Sequence, residues 1–129
     1  MIGQAWKPAL DKVWQFLGRN PGLRSDGHNV FVYRAAGTQG LLDVDFGVQV
    51  VRRFDGDGDV ICAELPSGEA ATVLHVGAYD RLGEAYAALD RWFESSGGER
   101  ADISWEVYGD WSNDPARLET RIFWLLRGR

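Results

Sequence analysis

Apolar positions Leu10, Val13, Trp14 and Leu17 recur at helical spacing over residues 6–17, with Pro8 tolerable in a first turn and Asn20-Pro21-Gly22 ending the run. An amphipathic helix is expected there. Residues 29–34 (NVFVYR) are rich in β-branched and aromatic side chains, and residues 42–53 place Val44, Phe46, Val48 and Val50 opposite Asp43, Asp45, Gly47 and Gln49. Both read as strands. Asp55-Gly56-Asp57-Gly58 reads as a turn, and residues 60–65 and 69–76 as two further strands joined through Pro66-Ser67-Gly68. The period returns to that of a helix from Asp80, a candidate N-cap, with Leu82, Ala85, Tyr86, Leu89, Trp92 and Phe93 forming one stripe that Gly97-Gly98 stops. Residues 103–108 and 120–126 close the pattern as strands.

The two halves resemble one another. ALDKVWQFL at 9–17 parallels ALDRWF at 88–93, and FVYR at 31–34 parallels EVYG at 106–109, at nearly constant offset. A duplicated β-α-β-β module follows, its copies related by a pseudo-twofold axis with a shared cleft between them. The expected fold is a single α+β domain over residues 1–129: an antiparallel sheet with two helices on one face and the ligand cleft on the other. Too few residues precede Trp6 for a full strand, so the first strand of the first module is expected to be absent or very short. That leaves an open sheet edge, which invites a homodimer.

Composition narrows the class. Hydrophobic residues make up 45% and charged residues 26% of the chain, as in ordinary globular proteins, and no apolar run approaches the roughly 20 residues that span a bilayer. A net charge of −5, with only Lys7 and Lys12 as lysines, supplies no basic face for nucleic acid. A single cysteine, Cys62, excludes an internal disulfide, and with no basic-then-apolar leader at the start a cytoplasmic protein is expected. No cofactor motif is present. Asp55, Asp57 and Asp59 alternate with glycine as in a calcium loop, but Val60 and Pro66 stand where that loop needs glycine and glutamate, so a plain turn is expected and no metal site. His28 and His75 have no further histidine or second cysteine to join them; His28 reads as a turn residue, His75 as a structural or pocket-edge one, and Cys62 as a small core hydrophobe.

The chemistry is concentrated in Ser104-Trp105-Glu106-Val107-Tyr108. Alternation puts Trp105 and Val107 on one face, expected beneath a helix, and Glu106 with Tyr108 on the other. The repeat adds Phe31 and Tyr33 to that second face. A carboxylate among aromatic rings suits a flat lipophilic cation, because the rings stack and attract it while the carboxylate neutralises it. The plainer reading leaves Glu106 solvated on an open sheet face, the usual place for a glutamate.

The stretch LPSGEAATVLHVGAYDRLGEAYAALDRWFESSG, followed by WEVYGDWSNDPARLETRIFWLL, resembles the GyrI-like small-molecule-binding domain, the effector-binding module of many bacterial AraC-type and MerR-type regulators. GHNVFVYR is similar to its first-half motif. The resemblance runs from about Trp6 to Leu126 and implies Glu106 as the ligand carboxylate, with Tyr33, Tyr79, Tyr108 and Phe123 as aromatic walls. No helix-turn-helix segment precedes it, so a stand-alone member is expected. Such members are diverse, and the resemblance implies three functions. The preferred one is binding, without turnover, of a lipophilic aromatic small molecule, cationic where it is charged. The second is hydrolysis of strained cyclopropane-containing alkylating compounds, with Glu106 as general base and Tyr108 or Tyr79 as its helper. The third is interaction with a protein partner in the manner of a gyrase inhibitor.

Overall fold

The computed structural model describes residues 2–35 and 42–127. Met1, residues 36–41 and residues 128–129 of the expected domain lie outside them. The element order is α1 (Ile2–Arg19), β1 (Asn29–Ala35), β2 (Leu42–Val48), β3 (Ala70–Val76), a 3₁₀ turn (Tyr79–Arg81), α2 (Leu82–Ser96), β4 (Arg100–Tyr108), a second 3₁₀ turn (Pro115–Arg117) and β5 (Glu119–Leu126). The α+β expectation holds. All five strands join one antiparallel sheet in the order β2-β1-β4-β5-β3.

The centre of the sheet carries the mark of the repeat. β1 and β4 pair antiparallel with Phe31 directly opposite Glu106, the two positions that the internal repeat makes equivalent. A local twofold therefore passes through that pair. On one side lies β2, on the other β5 and then β3, so the second module has one strand more than the first. Among the described residues no strand precedes α1.

The helices flank this centre on a single face. On α1, the Trp6 ring lies 6.4 Å from that of Phe31, and the Trp14 Nε1–H donates to Asn29 Oδ1 at 3.2 Å. On α2, Ala85 and Leu89 pack on Ile122, the β5 residue opposite Glu106. Phe31 and Glu106 thus share the helix-bearing face, with α1 beside β2 and α2 over β3 and β5. The expectation that a helix covers Trp105 and Val107, leaving the cleft on the opposite face, is corrected here. Trp105 lies on the far face, stacked on Phe123 at 5.3 Å and clustered with Val30, Val32 and Val107. An apolar far face of this kind satisfies itself by ring stacking. The helix side is where polar groups such as Glu106 find partners.

Three local readings also change. Residues 60–65 form no strand: Val60 is buried against Phe16, Leu17 and Leu23 of the α1 region, but Ile61 is 68% exposed, and the segment belongs to the long connection 49–69 between opposite edges of the sheet. Apolar, β-branched composition does not by itself make a strand, and this segment packs Val60 on the α1 cluster and pairs with no described strand of the sheet. Cys62 accordingly sits half-buried in that connection. Pro8 lies inside α1 because the helix begins at Ile2, and α2 begins at Leu82 after the 3₁₀ turn, so that Asp80 caps nothing.

The turn into β1 depends on Gly27. A Cβ there would stand 2.0 Å from the Gln49 carbonyl oxygen, a backbone atom held by the hydrogen-bonded approach of residues 28 and 49. Gly27→Ala is therefore expected to destabilise the protein by about 2–4 kcal/mol. Urea denaturation of the variant checks it.

Candidate functional site

Glu106 projects from the middle of β4 on the helix-bearing face, and only 4% of its surface is exposed. A carboxylate so buried needs donors, and three tyrosines provide them. Tyr33 Oη–H donates to Oε1 at 2.8 Å and Tyr108 Oη–H to the same oxygen at 2.6 Å, while Tyr86 Oη–H donates to Oε2. Each tyrosine comes from a different element. Tyr33 lies on β1 two residues beyond the Phe31 pairing, Tyr108 on the strand of the glutamate itself, and Tyr86 on the sheet-facing stripe of α2.

Among the described residues no lysine or arginine pairs with Glu106. Its charge is held by neutral hydroxyls alone, and the hydroxyls respond to it. Burial first, then the negative charge of Glu106 and the hydrogen bond to it, push the acid dissociation of Tyr33, Tyr86 and Tyr108 well above the ordinary phenol range. The linkage has a definite sign. A folded-state pKa raised above the unfolded value of 10.0 contributes stability that is complete below that pH and is lost as pH rises toward the folded value. The native protein is therefore expected to show little phenolate absorbance just above pH 10, most of it emerging together with the circular-dichroism signal of alkaline unfolding. A smooth phenolate titration preceding unfolding would contradict the cage.

Aromatic rings frame the carboxylate in a row. Trp6 lies 6.4 Å from Phe31, Phe31 lies 5.0 Å from Tyr108, and Tyr108 meets Tyr79 edge-on at 5.3 Å. Phe46 backs Phe31, edge-on at 4.7 Å. The row runs from α1 to the turn before α2, and its two ends, Trp6 and Tyr79, are each 37% exposed. Its inner members are partly buried.

The Tyr79 end is set by the sequence His75-Val76-Gly77-Ala78-Tyr79. His75 Nε2 bonds the Ala78 carbonyl at 2.9 Å, and since a carbonyl only accepts, that nitrogen carries the proton. Gly77 turns the chain at φ +137°, a conformation closed to other residues. Together they swing Tyr79 back over Tyr108, which gives His75 the structural role read from sequence. Beneath the same rings Thr120, opposite both His75 and Tyr108 in the sheet, is fully buried, and its hydroxyl has no partner among the described residues.

Of the expected site residues, the fold brings Phe31, Tyr33, Tyr79, Glu106 and Tyr108 together. Phe123 it does not: it pairs with Trp105, so its ring projects from the far face. Tyr86 and Trp6 are the residues the sequence reading missed as site members. Tyr86 sat in the apolar stripe of α2 and passed as packing, although a tyrosine facing a sheet needs an acceptor and Glu106 was the carboxylate left without a partner. His28, expected in a turn, bonds Asp110 at 2.9 Å away from the cleft.

The chain matches the GyrI-like small molecule binding domain over residues 3–127 and belongs to that family. Its fold is similar to the crystal structure of the EcmrR C-terminal domain, at 27% identity and a TM-score of 0.77, covering 92% of this chain and 79% of that one. It is also similar to EcmrR in the cryo-EM structure of an EcmrR–DNA complex, at 27% identity and a TM-score of 0.74; the match covers 89% of this chain and 46% of that one, about half its length. No curated protein matches the chain. No helix of the described residues is long and apolar enough to cross a membrane.

Proposed function

We propose that this small-molecule-binding domain takes up a flat, lipophilic aromatic molecule between its two helices and favours a cation over its uncharged isostere. The observation that carries the reading is Glu106: a buried negative charge with no cationic side chain beside it among the described residues, framed by a row of rings. An uncompensated charge in an apolar setting is costly, and a cation that stacks on the rings relieves that cost while gaining cation-π attraction. Trp6 and Tyr79, exposed at the ends of the row, are the first surfaces such a molecule meets.

The arrangement favours holding over turnover. Three tyrosine hydroxyls already donate to Glu106, two to Oε1 and one to Oε2, and each such bond makes the carboxylate a weaker base toward water. The test is a tryptophan-fluorescence titration with N-methylacridinium and with 9-methylanthracene, its uncharged isostere. Saturable quenching by the cation, constant over time and stronger than that by the hydrocarbon, is the expected result. Equal response to both, or none to either, would remove the reading.

A further inference from the structure

We propose that the open edge of β2 takes up one extended peptide segment of a partner protein as a sixth strand, antiparallel to β2. The hydrogen bond from the Gln49 N–H to the His28 carbonyl sets the alternation along this ladder: Gly47 and Asp45 turn their backbone groups toward β1, and Val44, Phe46 and Val48 turn theirs outward. Among the described residues those outward groups have no backbone partner. Beside them lies a cavity of about 670 Å³, lined by β2, by Val13 and Phe16 of α1, and by Val60 and Leu65 of the long connection.

The second half of the molecule shows what such a space holds. There β3 pairs antiparallel with β5 over residues 70–76 and packs Ala71 and Val73 against the α2 cluster. The repeat places the β2 edge where β5 meets β3, and α1 where α2 lies. An apolar small molecule would fill the cavity and leave the outward N–H and C=O groups unpaired. An extended peptide pairs them and seats its alternate side chains on Val13 and Phe16. A second copy of this chain would have to bring its own α1 and 59–65 segment into the same cavity, so edge-to-edge pairing is the poorer occupant. The segment that fits is about five to seven residues long, since β2 is seven residues and a strand rises roughly 3.3 Å per residue. It is free of proline and carries alanine or valine at the alternate positions that face α1.

The experiment uses the full chain and an acetylated peptide of its own β3 sequence, EAATVLHV, together with the same peptide N-methylated at alternate amides. Anisotropy of the labelled peptide gives affinity, and amide hydrogen exchange reports Val44, Phe46 and Val48. Saturable binding is expected, with those three amides newly protected and affinity lowered about tenfold or more by N-methylation. Val44→Pro is expected to lower it similarly without loss of fold, because that N–H faces away from β1. No saturation up to millimolar peptide would overturn the proposal, as would binding indifferent to both N-methylation and Val44→Pro. A dimer by sedimentation, with those amides already protected in the free protein, would overturn it in favour of a second copy.

Discussion

Exchanging Glu106 for Gln is expected to weaken binding of N-methylacridinium by roughly 10–100-fold, the equivalent of about 1.4–2.8 kcal/mol, in line with the ~1.5–3 kcal/mol of an interaction with a charged group. Binding of 9-methylanthracene should hardly change. The amide keeps one oxygen for Tyr33 and Tyr108, and its NH₂ can donate to the Tyr86 hydroxyl, so the cage is retained while its charge is removed. Paired titrations of the wild type and the variant, with thermal unfolding as the control for folding, separate loss of charge from loss of structure. Equal weakening toward both compounds would mean that Glu106 organises the cleft without acting as the counter-charge.

The second large effect concerns Ile122. It is 0% exposed, opposite Glu106 in the sheet and beneath Ala85 and Leu89 of α2. Truncation to Ala there leaves a cavity that helix and sheet can only partly close, at a cost of about 2–5 kcal/mol. In a chain of this size the melting temperature should fall by about 4 °C for each kcal/mol, roughly 8–20 °C altogether. Because α2 also carries Tyr86, the variant should lose part of the suppression of phenolate absorbance above pH 10.0, a readout that a purely global loss of stability would leave untouched in the folded fraction. Calorimetry and the alkaline titration check the two effects on the same sample.

Much of this arrangement can be read from the chain, and the failures have physical causes. The β4 alternation places Glu106 with Tyr108, and the internal repeat adds Phe31 and Tyr33, because each step needs only the parity of one strand. Phe123 needed more. Its face depends on which residue of β4 it opposes, and a register shift of one residue reverses the answer. The helix-bearing face was misassigned for a related reason: Trp105 and Val107 are the more apolar pair, but their face is covered by stacked rings, while α2 brings a tyrosine hydroxyl to the polar one. Residues 60–65 carry strand-like composition, yet they lie beside the β2 edge without joining its ladder, with Val60 packed on the α1 cluster instead. Composition is local, whereas pairing is decided by the rest of the fold.

The direct opposition of Phe31 and Glu106 across the local twofold has a further consequence. A cleft built from two identical modules would present a guest with two equivalent poses, related by rotation about the axis, and would discriminate neither end of it. Here one copy of the position is a phenyl ring and the other a carboxylate. The degeneracy is broken at the one place where the axis crosses the sheet, so under the proposed function a guest with a charged and an uncharged end would be received in a single orientation.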